Sequence, residues 1–300
     1  MRVRIATRNS PLALAQAETV ASLLRNRGGE VELVPVTTKG DSDRTTPLPA
    51  MGSAGVFTKA LEDALADGRA DVAVHSAKDM PSALDPRFEI AAIPFRDDPR
   101  DALVGCSLDG LAPGALVSTG SPRRRAQLAA FRPDLTFQGL RGNIETRLRA
   151  LDSSDAVVVG AVALDRLDLA RQLLVDRIDP SIMLPAQGQG AIAVEIAKGS
   201  ECSGLVREID NPGARAAVMA ERACVNAIGG GCSAPVGAHA SICNGRLVLN
   251  ATVHSPDGHQ VIAGKREIED PVVDGTALGE ELLGRGAGQL LTELASESGG

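Results

Sequence analysis

Leu116-Val-Ser-Thr-Gly-Ser-Pro-Arg-Arg-Arg-Ala-Gln-Leu128 reads as strand, turn and helix in succession. Leu116–Ser118 is short and apolar. Ser121 followed by Pro122 has the form of a helix N-cap with proline at the first helical position. A strand running into a capped helix is the unit from which α/β sheets are built. The alternation continues outward from there. Thr136–Leu140 is the next strand, Asn143 caps a helix over Ile144–Leu151, Ala156–Val159 is a strand, Ala163–Leu174 a helix and Ala191–Ile196 a strand. Toward the amino end, strands Val3–Thr7 and Val31–Val36 flank a helix that opens at Ser10-Pro11 and stops at Gly28-Gly29. Val56–Ala66 is a helix, and Asp71–Ser76, Glu89–Pro94 and Ala102–Gly105 are strands. This pattern predicts an α/β fold with mostly parallel sheets, whose ligands bind beyond the carboxyl ends of strands. Lys78-Asp79, Ser121–Arg125 and Arg141–Asn143 all fall at such an end.

The last third differs. A helix over Pro212–Ala227 precedes Pro235–Ile242, Arg246–Ser255 and Gln260–Ile268, joined by Asn244-Gly245 and Asp257-Gly258. Those are hairpin-turn dipeptides, so an antiparallel three-stranded meander is expected. A helix near Val273–Ala295 closes what reads as a separate α+β domain.

Charge narrows the function. The chain of 300 residues has a formal net charge of -7, yet Thr119 to Arg149 holds seven Arg, no Lys, and only Asp134 and Glu145 in opposition. A positive island on an acidic protein suits a small poly-anion. It argues against nucleic acid and anionic membranes. Aromatic residues are 2%, with no Trp or Tyr, too few for a base-stacking platform. No apolar run is long enough for a membrane span, and the first residues lack a signal-peptide core, so a cytoplasmic protein is expected. Five Cys without a C-x-x-C pair disfavour a disulfide framework and a zinc site.

Ser121-Pro-Arg-Arg-Arg125 sets a hydroxyl, backbone N–H groups and guanidiniums at one helix start, where an anion is favoured. Basic residues in a first turn oppose the helix dipole and call for a compensating anion. Arg141-Gly142-Asn143 with Arg147 repeats the arrangement; the plainer reading of both clusters is a solvated basic face. His75-Ser-Ala-Lys-Asp79 places a carboxylate beside a cation after a strand, with His75 read as a structural hydrogen-bonding residue. Gly229-Gly-Gly-Cys232 sets a thiol in a glycine loop, accessible for covalent chemistry. Lys39–Gly55 has the length and polarity of a lid.

Six motifs now stand in order: Ile5-Ala-Thr-Arg-Asn-Ser-Pro-Leu-Ala13, His75-Ser-Ala-Lys-Asp-Met-Pro81, Thr119-Gly-Ser-Pro-Arg-Arg124, Leu140-Arg-Gly-Asn-Ile-Glu-Thr-Arg-Leu148, Leu184-Pro-Ala-Gln-Gly-Gln-Gly-Ala191 and Gly230-Gly-Cys-Ser-Ala-Pro235. The set resembles the porphobilinogen deaminase, or hydroxymethylbilane synthase, family from about residue 3 to the final helix. The resemblance implies two α/β lobes like those of type II periplasmic binding proteins plus a C-terminal α+β domain with a three-stranded antiparallel sheet. The implied domains are residues 1–96 with 190–210, carrying a lid loop at 39–55; residues 97–189 with the arginine-rich site; and residues 211–300 with the cofactor cysteine.

The implied activity is a transferase that joins four porphobilinogen molecules head to tail, releasing ammonia each time, to give hydroxymethylbilane in tetrapyrrole (haem) biosynthesis. A dipyrromethane cofactor would be held by a thioether to Cys232. Asp79 matches the catalytic carboxylate. Lys78, Arg123, Arg124, Ser121 and Ser76 match cofactor-binding positions. Arg8, Ser10, Arg141 and Arg147, with Arg4, Gln189 and Lys59, match or adjoin positions that hold the substrate's acid groups. Ala54 stands where many members have a lid lysine, leaving Lys59 to serve. The family also implies a monomer. The alternative on the same scaffold is a non-catalytic carboxylate-binding protein, which would need neither the Gly-Gly-Cys loop nor the last domain.

Overall fold

The computed structural model describes residues 1–38, 58–229 and 234–291. The lid segment with Ala54, the loop with Cys232 and the chain after residue 291 lie outside the described residues. The strands are β1 (Arg2–Arg8), β2 (Glu30–Val36), β3 (Val72–Ser76), β4 (Phe88–Ala92), β5 (Asp101–Val104), β6 (Leu116–Ser118), β7 (Thr136–Gln138), β8 (Ala156–Gly160), β9 (Val175–Arg177), β10 (Ile192–Ala197), β11 (Val236–Cys243), β12 (Arg246–His254) and β13 (Val261–Glu267). The helices are α1 (Pro11–Arg25), α2 (Lys59–Ala66), α3 (Pro122–Phe131), α4 (Ile144–Leu148), α5 (Ala161–Arg166), α6 (Ser203–Arg207), α7 (Pro212–Ile228) and α8 (Pro271–Gly284).

Two compact units result: Met1–Asp97 with Gly190–Ala216, and Asp98–Gln189 with Ala217–Gly300. In the first, the sheet order is β2-β1-β3-β10-β4. β1 runs parallel to β2 and β3, while β10 runs antiparallel to β3 and β4. Helix α1 buries Gln16, Ala17, Val20, Ala21 and Leu24, one face at helical spacing, against the apolar side chains of β1, β3 and β10.

The second unit repeats that plan in the order β7-β6-β8-β5-β9. β6 is parallel to β7 and β8; β5 is antiparallel to β8 and β9. Both sheets are therefore mixed, which corrects the expectation of mostly parallel ones. The reason is connectivity. β5 is the first strand after the chain enters the second unit and β10 the first after it returns. Each takes the fourth place in its sheet and runs against its parallel trio.

The second unit also contains the antiparallel meander β11-β12-β13. Asn244 and Gly245, at φ 50 and φ 79, form the tight turn between β11 and β12. The β12–β13 connection is wider than a two-residue hairpin. Ser255 and Gln260 close it, and the Asp257 carboxylate accepts from the Ser255 hydroxyl at 2.5 Å and the His259 N–H at 3.0 Å. One face of the meander is covered by α7 and α8. A Cβ at Gly275 would stand 2.3 Å from the Ala220 carbonyl oxygen, and one at Gly279 2.6 Å from that of Cys224. These glycines, one turn apart on α8, let it lie backbone to backbone on α7.

Other expectations shift locally. The helix foreseen over Ala163–Leu174 ends at Arg166; Asp168 takes φ 54, and Val175–Arg177 becomes β9 against β5. The closing helix stops at Gly284, broken by Gly286 at φ 98, and helical backbone resumes over residues 287–291. Helix α6, only five residues long with Val206 its one buried side chain, was not foreseen.

Candidate anion-binding and catalytic residues

In the first unit, β1 and β3 are parallel neighbours and end at the same sheet edge. Arg8 closes β1, and Ser10 caps α1, its hydroxyl accepting from the Ala13 N–H at 3.3 Å. Ser76 closes β3 and leads into a 3-10 turn over Ala77–Asp79. The Ala77 N–H donates to the Ala191 carbonyl at 3.0 Å, the Met80 N–H donates to Ala77 at 3.3 Å, and the Met80 side chain is fully buried. The turn is thus pinned at both ends, with Lys78 and Asp79 half-buried upon it. Ser76 Oγ lies 2.9 Å from Gln16 Nε2 and 3.1 Å from Gln16 Oε1. Gln16, which the sequence reading missed, therefore holds the end of β3 to α1. His75 Nε2 lies 3.0 Å from Glu195 Oε2 in a buried pair, a structural role as expected for this histidine.

Two candidates go elsewhere. Arg4 lies in the first half of β1, toward the opposite sheet edge from Arg8. Asp71, just before β3, accepts from its backbone N–H at 2.8 Å, its Nε at 3.1 Å and its Nη2 at 2.7 Å. These contacts hold the Asp71 carboxyl below the usual carboxylate range. Arg4 is committed there, and its geometry gives no support to a substrate-binding role. Lys59 is exposed on the first turn of α2, 3.5 Å from Asp63 one turn on.

In the second unit, the two basic clusters meet. β6 and β7 are parallel, and the Thr119 N–H extends their ladder to the Gln138 carbonyl at 3.0 Å. A Cβ on Gly120 would stand 2.1 Å from the Leu140 carbonyl oxygen, so only glycine lets the two loops touch. Ser121 Oγ caps α3, accepting from the Arg124 N–H at 3.4 Å, and Asn143 Oδ1 caps α4, accepting from the Thr146 N–H at 2.9 Å. Arg141 is half-buried beside them, and Arg147 donates from Nε to the Gly142 carbonyl at 2.9 Å.

Arg123 and Arg124 are 4% and 5% exposed, not a solvated face. The compensating anion that their place in a first turn demands is Asp101, the opening residue of β5 and fully buried. Arg123 Nη2 lies 2.7 Å from Asp101 Oδ2, and Arg124 Nη2 2.9 Å from Oδ1. Arg123 also donates to the Leu184 carbonyl at 2.7 Å, and Arg124 to the Val158 carbonyl at 3.0 Å. Burial pushes the Arg123 pKa down; Asp101 opposes that and Arg124 adds to it. Gln189, read as a substrate contact, is buried and donates to Asp101 Oδ1 at 2.9 Å and to the Pro99 carbonyl at 2.6 Å. Asp101 was not named from sequence; the signal that pointed to it was the uncompensated charge at the start of α3.

Among the described cysteines, burial, and then the neighbouring Glu221, pushes the Cys224 thiol up to about 12. Burial likewise raises Cys202. Neither is a candidate nucleophile.

Sheets of one repeated order, each with hydroxyls and basic side chains where its parallel strands end, define a two-sheet α/β protein with a further antiparallel meander. Residues 3–203 match the family described as "Porphobilinogen deaminase, dipyromethane cofactor binding domain", and residues 215–284 match "Porphobilinogen deaminase, C-terminal domain". A porphobilinogen deaminase of Acidothermus cellulolyticus is 45% identical over 96% of this chain and 91% of its own length. One of Roseiflexus castenholzii is 44% identical over 96% and 97%. This chain belongs to the porphobilinogen deaminase family. Among solved structures it is similar, at TM-score 0.43 and 15% identity, to an ABC transporter periplasmic substrate-binding protein of Coxiella burnetii, covering 71% of this chain and 94% of that one. An ancestral cationic amino acid solute-binding protein matches at TM-score 0.40 and 16% identity, covering 69% and 87%. Among the described residues, no helix is long and apolar enough to cross a membrane.

Proposed function

We propose that this chain condenses four porphobilinogen molecules head to tail into hydroxymethylbilane, with Asp79 as its catalytic carboxylate. The observation that carries the reading is the pinned turn after β3, which holds Asp79 half-buried at the carboxyl end of a parallel strand. Loss of ammonia from the substrate's aminomethyl group leaves a cationic pyrrole. A fixed carboxylate facing the pyrrole N–H stabilises that charge as it develops and takes part in the proton transfer that restores aromaticity. Arg8 and Ser10, at the same sheet edge, are suited to hold the substrate's acetate and propionate groups, and Lys78 and Ser76 at that edge the acid groups of the cofactor.

The second unit suits a dipyrromethane. Such a group carries several carboxylates, and Arg123 and Arg124 follow the Gly120 loop, which touches the loop that leads to Arg141. Ser121 adds a hydroxyl for the cofactor, and Arg141 and Arg147 are read as holding the substrate's acid groups. Held on Cys232, a dipyrromethane would supply the pyrrole carbon from which the chain grows. The residues around it bind and orient carboxylates and neutralise their charge. We also read the second unit as two domains, 97–189 and 211–300, and the whole as a cytoplasmic monomer that binds no nucleic acid.

Intact-protein mass spectrometry with peptide mapping tests this. A dipyrrole adduct on Cys232, absent in Cys232→Ser, is the expected result. A wild-type chain that stays unmodified after incubation with porphobilinogen overturns the proposal.

A further inference from the structure

We infer that Asp101 is a positioning residue for the anion-binding arginines: its carboxylate fixes the direction in which Arg123 and Arg124 present their other N–H groups to a ligand carboxylate. The inference rests on the cofactor-binding reading above.

Each guanidinium is held at two points from different elements. Arg123 is fixed by Asp101 on β5 and the Leu184 carbonyl; Arg124 is fixed by Asp101 and the Val158 carbonyl on β8. Gln189 braces the shared carboxylate from a third direction at 2.9 Å. A guanidinium has five N–H groups, and these contacts occupy only some of them on each side chain. Long side chains that would otherwise sample many rotamers are thus set in one orientation before a ligand arrives, which lowers the cost of binding.

The charges point the same way. Among the described residues, the ion pairs here set one carboxylate against two guanidiniums, all three side chains at most 6% exposed. Burying an excess charge is unfavourable unless a counter-charge arrives. His254, buried nearby, does not add a cation at neutral pH, because burial and then Arg123 lower its pKa to about 4. Two cations on one anion make a half-filled arrangement that a ligand carboxylate completes.

The test compares D101N, D101E and L103A with wild type. Leu103 is fully buried on the same strand, in register with Val158, and its side chain lies in the apolar core, so L103A removes packing beside the site while leaving the Asp101 carboxylate in place. Apo-proteins, prepared from cells unable to make porphobilinogen, are incubated with it, and adduct formation on Cys232 is followed by intact mass alongside the unfolding temperature. D101N is expected to load at least about tenfold more slowly than an L103A chain of similar unfolding temperature, with D101E between D101N and wild type. Loading of D101N at the L103A rate overturns the inference. If D101N does not fold, D101E decides: slower loading than L103A supports positioning, while loading at the L103A rate, or failure to fold, assigns Asp101 to folding only and overturns it. A wild-type chain that gains no adduct sinks the cofactor-binding reading itself, which separates the two failures.

Discussion

Asp79 and His254 show how single side chains take their chemistry from their setting. Asp79 sits on a turn whose shape depends on Ala77 and the buried Met80, not on its own carboxylate. Asp79→Ala is therefore expected to unfold within a few degrees of wild type and to lose about 10²–10³-fold in turnover, the scale of one well-placed electrostatic group. Substantial turnover by that variant would remove Asp79 from the mechanism. His254 closes β12 in a buried place beside Arg123, and burial together with that cation lowers its pKa to about 4 from an ordinary 6.5. The unfolded chain takes up the proton near pH 6.5 and the folded chain only near 4. This contribution is complete above pH 6.5 and is lost as pH falls from there toward 4. Denaturant titrations at pH 7 and pH 4.5 are expected to differ by about 2 kcal/mol more for wild type than for His254→Gln, and an equal difference would refute the assignment.

Among elements, the decisive contact is between two loops. The strand-cap-helix reading at Leu116–Leu128 survives intact in β6 and α3, because N-cap geometry is written in local residue types. The contact of Gly120 with Leu140 depends instead on the parallel pairing of β6 and β7, which no local signal specifies. Gly120→Ala places a methyl 2.1 Å from a carbonyl oxygen, so backbone must move. We expect a loss of about 3 kcal/mol in denaturant unfolding and a loading defect at Cys232 larger than that of an equally destabilised core variant. Wild-type stability in Gly120→Ala would show that the loops do not meet as described. The same dependence on pairing explains β9. Its three residues have a single apolar side chain at the start and gain strand form only by adding to β5.

At the scale of the whole chain, Glu221 ties together stretches far apart in sequence. This fully buried residue of α7 accepts from the Gly188 N–H at 2.6 Å and the Ala240 N–H at 2.7 Å. It joins the segment that leads out of the second unit, the helix before the Cys232 loop and the strand after it. Glu221→Ala leaves two buried donors without their acceptor, and a fall of about 3 kcal/mol in unfolding free energy is expected from chemical denaturation. A change under about 1 kcal/mol would mean that water or another acceptor replaces the carboxylate.

The amino-acid order by itself determined the alternation of strands and capped helices, the meander with its Asn244-Gly245 turn, and the clustering of arginine at strand ends. Those features rest on interactions between residues a few positions apart. The tertiary structure alone decided that both sheets are mixed, that Arg4 turns to Asp71 and Gln189 to Asp101, and that one buried carboxylate answers both Arg123 and Arg124. These outcomes depend on which strands become neighbours across long stretches of chain. Asp101 stands 22 residues from Arg123, and only β8, pairing with both β5 and β6, brings the start of β5 to the start of α3.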